Sequence, residues 1–307
     1  NGNGENSGHV RVFQWNGTAW VQRGNDIDGE AVNDYSGNST SINSDGTILA
    51  IGAEGNDGNG NYAGHTRIYT WDGSAWVQRG NDINGGPLGG GAGSGALHYS
   101  GYSVSLSDDG SIVAIGALRG GSNNGGYTRI YAWNGNTWVQ RGSDIDGRIA
   151  GDLSGNSVSI SSDGTIVAIG ALTNNRSNGI VDTGYTFIYQ WDSGTSSWNQ
   201  LGSDIPGEAL GDFSGVSVSL SSDGSIVAIG AKSNDGNGEN SGHTRLYQWD
   251  GSTWTQLGND IGGEAVGDYS GNSVSLAGDG SIVAIGATGN DGNGENSGHV
   301  RVFSLET

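Results

Sequence analysis

Polar and apolar residues alternate along one stretch of the chain and give way to an unbroken apolar run in the next. Residues 214–221 alternate small polar with apolar side chains, which is typical of a strand with two different faces. A turn signal at residues 222–225 leads into residues 226–231, whose continuous apolar character predicts a strand covered on both faces. Residues 244–249 and 254–257 predict two more strands around an Asp250-Gly251 turn. The pattern therefore predicts four strands and no helix.

This four-strand pattern is repeated along the chain. The segment that opens the third strand begins at residues 8, 64, 126, 184, 242 and 298, which gives spacings of 56, 62, 58, 58 and 56 residues. Residues 2–13 are identical to residues 292–303, so third strands are predicted six times and the other strands five times. Periods of this length are typical of solenoids and propellers. We predict an all-β, five-bladed β-propeller of four-stranded antiparallel blades.

The count of strands also predicts how the ring closes. The N-terminal part supplies a third and a fourth strand, and the C-terminal part supplies a first, a second and a third. We therefore predict a single domain over residues 1–307 whose ring is closed by pairing the N- and C-terminal strands, with residues 298–305 as a duplicated strand. The copy that is left over either frays or pairs with an exposed strand edge of another molecule.

The run from Phe213 to Ala231, with its Ser-Val-Ser-Leu-Ser-Ser-Asp-Gly-Ser-Ile-Val-Ala-Ile-Gly-Ala core, resembles the FG-GAP repeat of integrin α-chain heads and of secreted bacterial and algal proteins. All five units carry this motif. The resemblance implies a propeller, an extracellular or cell-surface location, adhesion or ligand binding, and calcium held by an Asp-rich loop between first and second strands. That loop is too short here, since each copy has only an Asp-Gly turn, at Asp45, Asp109, Asp163, Asp223 and Asp279.

Composition narrows the classes of partner. The chain has 32 acidic and 12 basic residues and a formal charge of −20, which argues against nucleic acid and anionic lipid. No apolar run approaches the ~18 residues of a membrane span, so we expect no membrane insertion. The sequence contains no Met, and we expect that an upstream secretion signal or domain was removed. Cations and neutral glycans remain as partners.

The loops between second and third strands are candidate calcium sites. Oxygen-bearing side chains recur there at alternate positions between glycines, a spacing that can wrap a hard cation. The predicted ligands are Asp57, Asn59, Asp235, Asn237, Glu239, Asp291, Asn293 and Glu295. The alternative interpretation is a cluster of turn residues that bond to their own backbone.

Three other repeated residue types are interpreted as structural. A second acidic set after the fourth strand, which includes Asp26, Glu30, Asp204, Glu208, Asp260 and Glu264, is interpreted as turn residues. His9, His65, His243 and His299 open third strands, where Tyr127 and Tyr185 stand in the other units, so a zinc role is not predicted. The ten tryptophans form five pairs predicted to pack across strands, with Trp15 opposite Thr18 and Trp20 opposite Phe13.

No residues form a recognisable nucleophile, base and acid set, and the acids recur as turn residues rather than as one unequal pair. We therefore predict a protein that is not an enzyme. The favoured function is an extracellular binding or adhesion module that recognises a glycan or a protein, supported by calcium, with two irregular loops at residues 85–98 and 174–182 as candidate recognition elements. The alternative is a structural subunit that assembles with copies of itself through the surplus strand.

Overall fold

The computed structural model describes residues 3–86, 97–173 and 183–305, which contain strands and no helix. Most of the two irregular loops, residues 87–96 and 174–182, lies outside the described residues. In the part of the chain that is described, no helix is long and apolar enough to cross a membrane.

The strands fall into an N-terminal segment followed by five sheets. The N-terminal segment contains β1 (His9–Val10), β2 (Phe13–Trp15), β3 (Trp20–Gln22) and β4 (Ile27–Asp28). The first sheet contains β5 (Ser39–Ile42), β6 (Ile48–Ala53), β7 (His65–Trp71), β8 (Trp76–Gln78) and β9 (Ile83–Asn84). The second sheet contains β10 (Ser100–Leu106), β11 (Ile112–Ala117), β12 (Tyr127–Trp133), β13 (Trp138–Gln140) and β14 (Ile145–Asp146).

The remaining three sheets repeat this plan. The third contains β15 (Ser154–Ile160), β16 (Ile166–Ala171), β17 (Tyr185–Asp192), β18 (Ser197–Gln200) and β19 (Ile205–Pro206). The fourth contains β20 (Ser214–Leu220), β21 (Ile226–Ala231), β22 (His243–Trp249), β23 (Trp254–Gln256) and β24 (Ile261–Gly262). The fifth contains β25 (Ser270–Leu276), β26 (Ile282–Ala287) and β27 (His299–Ser304).

All pairing between these strands is antiparallel, and each of the first four sheets follows the predicted order of four strands. A short extra strand, such as β9 in the first sheet, pairs with the start of the third strand, so that His65 lies opposite Asn84. The third and fourth strands meet tryptophan to tryptophan, with Trp15 opposite Trp20. The predicted register, with Trp15 opposite Thr18, is therefore wrong: the turn spans four residues, 16–19, rather than two.

Successive sheets pack face to face, and the alternating pattern of the first strand is used at both faces. Val104 and Leu106 on β10 pack against Ile48 and other apolar residues of the preceding sheet. The serines that alternate with them face the following sheet: Ser103 Oγ donates a hydrogen bond to Gly155 O at 2.8 Å, and Ser105 Oγ accepts one from the backbone N–H of Ile160 at 3.1 Å. The apolar face of each first strand is therefore buried against one neighbour, and its polar face is bonded to the other.

Among the strands that the structure describes, the predicted pairing of N- and C-terminal strands is not seen. β27 takes the third position beside β26, whereas β1 and β2 pair with β4 and β3 of their own segment. The physical reason is proximity: β27 carries the same sequence as the N-terminal copy and is joined to β26 by a short loop, which makes closure entropically cheap.

Both ends of the array consequently leave apolar side chains uncovered. Ile42 on β5 is 48% exposed, although the matching Leu106 is buried. On the fifth sheet Ile282 is 45% and Val302 is 65% exposed, although Leu246, the counterpart of Val302, is buried. Repeated antiparallel sheets of a propeller type are thus present, and the ring is not closed in this structure.

Candidate functional site

In the predicted calcium loops, the aspartates accept hydrogen bonds within the loop, and the asparagines donate to the backbone that follows the short extra strand of the same sheet. Asp235 Oδ1 accepts a bond from the backbone N–H of Asn240 at 2.8 Å, and Asn237 Nδ2 donates to Gly263 O at 2.8 Å. Asp57 and Asp291 are bonded like Asp235, and Asn59 like Asn237. These contacts account for the turn residues without an ion, and calcium at these loops stays a prediction.

A different set of side chains meets where successive sheets adjoin. In the first cluster, defined as Glu30, His65, Arg67 and Asp82, His65 Nδ1 lies 3.9 Å from Glu30 Oε2 and 3.9 Å from Asp82 Oδ2. Arg67 Nη1 lies 3.6 Å from Glu30 Oε1. The histidine and arginine stand on β7, whereas the two acids come from the loops before β5 and before β9.

The second cluster, defined as Glu208, His243, Arg245 and Asp260, repeats this geometry in the fourth sheet. His243 Nδ1 lies 3.8 Å from Glu208 Oε2 and 3.7 Å from Asp260 Oδ2, and Arg245 Nη1 lies 3.4 Å from Glu208 Oε1. The histidines and arginines are buried, while both glutamates are nearly half exposed. Each cluster therefore presents carboxylates to solvent above a buried imidazole and a buried guanidinium.

Burial sets the charge of the two imidazoles. Burial is the main cause that lowers the pKa of His65 to about 4, and the nearby Arg67 lowers it further. The pKa of His243 is lowered by burial and by Arg245 in the same way. Both imidazoles are therefore neutral at pH 7. The two arginines are fixed in turn, because Arg67 Nη2 donates to Asp28 O at 2.8 Å and Arg245 Nη2 donates to Pro206 O at 2.7 Å.

The other sheets carry altered versions of the cluster. In the second sheet Tyr127 replaces the histidine, and Arg129 forms two 2.9 Å bonds with Asp144. In the third sheet Phe187 replaces the arginine, and Arg148, at the position of the glutamate, pairs with Asp204 and lies over the Phe187 ring. In the fifth sheet Glu264 contacts His299 and Arg301, and up to residue 305, where the described part ends, this sheet contains three strands and no fourth strand that brings an aspartate.

A groove lies beside the second cluster, between the third and fourth sheets. Its volume is about 370 Å³, and its wall includes Asp204, Arg245, Tyr247 and Trp254. This volume falls in the range of small-molecule sites. Arg245, a member of the second cluster, therefore also forms part of the wall of this groove.

The sequence-based predictions did not include these clusters, although the repeat units contain one pattern that indicates them. His65 and Glu30 are 35 residues apart and belong to different repeat units, so each was interpreted only against its own turn or strand. The available signal was joint variation among units: the glutamate occurs with arginine two residues after the histidine, and becomes Arg148 where that arginine becomes Phe187. Such exchange indicates contact between the two positions.

Comparison with known proteins supports the repeat and the fold. An FG-GAP repeat is found at residues 263–303, which confirms the resemblance seen in the sequence. No curated protein matches the chain. The chain is similar to a solved structure of a putative 6-phosphogluconolactonase from Bacteroides uniformis, with 11% identity, a TM-score of 0.59, and coverage of 95% of this chain and 76% of that one.

Two further solved structures are similar to the chain. The periplasmic gluconolactonase of Pseudomonas aeruginosa has 14% identity and a TM-score of 0.56 over 90% of this chain and 70% of that one. A putative 6-phosphogluconolactonase from Bacteroides fragilis has 11% identity and a TM-score of 0.58 over 96% of this chain and 73% of that one. At these identities the likeness establishes the fold alone.

The prediction of a non-catalytic binding or adhesion module, and with it the prediction that the chain is not an enzyme, is corrected by this finding. Of the three similar structures, two are named as putative 6-phosphogluconolactonases and one as a gluconolactonase. That prediction weighed the acids one unit at a time, whereas adjacent units bring acids, histidine and arginine together.

Proposed function

We propose that the chain is a hydrolase that opens the ring of a sugar lactone at the clusters between successive sheets. The observation that carries the proposal is the second cluster, where an exposed carboxylate, Glu208, lies 3.4 Å from the buried guanidinium of Arg245 at the edge of a 370 Å³ groove. The lactonases with the same fold supply the substrate class.

The proposed reaction needs one base and one cation. The carboxylate of Glu208 takes a proton from water as the water oxygen attacks the lactone carbonyl carbon. Arg245 stabilises the negative charge that develops on the carbonyl oxygen. The ring C–O bond then breaks, and the proton held by Glu208 passes to the leaving alkoxide. Lactone and water give one hydroxy acid, which ionises and releases a proton to the solution.

The test is the rate of acid release from glucono-δ-lactone, followed with a pH indicator above the uncatalysed rate. We expect the double variant Glu30→Gln and Glu208→Gln to lose about 100-fold in kcat, the lower range for a general base. Asp250→Asn is the matched control, because Asp250 lies at the far end of β22 from His243 and Asn16 and Asn134 occupy the same turn position in other units. A wild-type rate equal to the background, or a double variant with full activity, would contradict the proposal.

We also propose that the five units form a closed five-bladed ring in solution. The uncovered Ile42 and Val302 support this, because inside the array the equivalent faces are buried against each other. The same faces could instead bind copies of the chain. Calcium at the Asp57, Asp235 and Asp291 loops remains a proposal, as does a secreted or periplasmic location. An unchanged melting temperature after chelation with EGTA would remove the calcium proposal.

A further inference from the structure

Among the described residues, the two histidines of the clusters have no hydrogen-bond partner that explains their burial. His65 is 1% and His243 is 3% exposed. Nδ1 of each ring lies 3.7–3.9 Å from two carboxylate oxygens, which is too long for hydrogen bonds. Buried polar groups are normally satisfied, so an imidazole aimed at two carboxylates without bonding either needs a further explanation.

We propose that each cluster is a binding site for a divalent cation of the zinc class, held by His65, Glu30 and Asp82 in the first cluster and by His243, Glu208 and Asp260 in the second. In each cluster one nitrogen and two carboxylate oxygens lie within 4.8 Å of one another. Three protein ligands leave one position of a tetrahedral ion open to water.

The distances favour a shared ion over direct contact. With metal–ligand bonds of about 2.0–2.2 Å, two ligands of a tetrahedral ion are separated by roughly 3.4 Å. The observed separations of 3.7–3.9 Å between Nδ1 and the carboxylate oxygens therefore need to shrink by only a few tenths of an ångström. Two of the ligands come from half-exposed loops that can make this adjustment.

The arginine of each cluster contacts one carboxylate oxygen of the glutamate and leaves the other oxygen free to bind an ion. Arg67 and Arg245 contact Oε1 of the glutamate, whereas the histidine faces Oε2. One oxygen is thus paired and the other remains available as a ligand.

The donor set also selects the class of ion. Calcium prefers six to eight oxygen ligands, whereas each cluster offers one nitrogen and two oxygens. Imidazole with carboxylate suits zinc and its neighbours in the first transition series. These sites are distinct from the predicted calcium loops. They share Glu30 and Glu208 with the proposed hydrolase, but binding of an ion requires no reaction.

The test uses the full chain, stripped of metal and titrated with Zn²⁺ by calorimetry. We expect two tight equivalents, and one fewer in each of the variants His65→Tyr and His243→Tyr. Tyrosine stands at this position in Tyr127 and Tyr185, so both variants are expected to fold. Asp250→Asn should keep both equivalents. Co²⁺ should give the visible absorption of a tetrahedral site, and each variant should lose about half of it.

Two results would overturn the assignment: no tight binding by the wild-type chain, or unchanged stoichiometry in both tyrosine variants. The outcome is separable from that of the proposed hydrolase. Zinc binding without lactone hydrolysis leaves the sites in place, and hydrolysis that persists in both tyrosine variants without zinc leaves the reaction in place.

Discussion

At the scale of single residues, the acids of the tight turns act through local hydrogen bonds. Asp250 Oδ1 accepts bonds from the backbone N–H groups of Ser252 and Thr253, both at 2.8 Å. These bonds favour the ionised carboxylate and lower its pKa to about 2, below the ordinary 3.8. Because the folded pKa is depressed, the stabilising contribution is present above pH 3.8 and is lost as the pH falls through about 2.

We therefore expect the side-chain carboxyl of Asp250 to titrate with a midpoint near pH 2 when followed by NMR. Asp250→Asn should fold normally and lose the part of the acid-induced destabilisation that comes from this residue. A midpoint at or above 3.8 would show that the turn bonds do not form in solution.

The sequence predicted the role of acids in turns but not their role in the clusters. Asp and Gly side by side carry a local signal, because the carboxylate bonds to backbone only two or three residues away. The cluster around His65 has no local signal, since its carboxylates come from a loop of the preceding unit and from another strand connection. Only the packing of successive sheets determines which carboxylates lie close to the imidazole of His65.

At the scale of strands, one glycine in the second strand of each unit sets how closely sheets approach. A Cβ atom at Gly170 would lie 2.0 Å from Gly215 O of the following sheet, and Gly52, Gly116 and Gly230 are in the same position relative to their neighbours. No atom can occupy that space without moving the two sheets apart. The close approach explains why the apolar run reads Ala-Ile-Gly-Ala in the first four sheets.

We expect Gly170→Ala to lower the free energy of unfolding by about 3 kcal/mol, the upper range for overpacking a core. Urea denaturation followed by tryptophan fluorescence measures this change. Gly194→Ala is the control, because an added Cβ there meets only Asp192 Oδ1 at 3.2 Å in an exposed turn, and its effect should stay within about 0.5 kcal/mol. Equal effects of the two changes would contradict the steric argument.

Strand-level features were largely predictable from periodicity. The four strands per unit are confirmed, because alternation and a continuous apolar run have distinct physical causes. The two-residue strands such as Ile83–Asn84 were missed, since the acids and glycines around them are typical of turns. The serines of the first strand were recognised as one polar face, but their bonds to the next sheet depend on packing that no single unit reveals.

At the scale of the whole molecule, the proposal that the five units form a closed ring can be tested at Gly286. This residue of the fifth sheet corresponds to Gly170, but an added Cβ would meet only Ser273 Oγ, at 2.4 Å, which can rotate away. A closed ring would bring Gly37 of the first unit against it, as Gly215 lies against Gly170. We therefore expect Gly286→Ala to destabilise a closed ring about as much as Gly170→Ala.

Melting temperatures at several protein concentrations distinguish the possible outcomes. A large loss at all concentrations indicates closure within one chain, and a loss that grows with concentration indicates contact between copies. If Gly286→Ala melts like the wild type throughout, the closed ring is wrong. Counting strands in the sequence gave five units, but it could not decide which duplicated strand pairs with β26, because the two copies are chemically identical.

The identity of residues 2–13 with residues 292–303 also has a consequence for the gene. Stretches of matching sequence set five units apart offer sites for unequal recombination, and a crossover between them adds or deletes all five units while every strand stays in phase. A duplication of this kind would add a second five-unit array without changing the contacts of the first, because packing runs between neighbouring units. Natural length variants are therefore expected to differ by sets of five units rather than by scattered insertions.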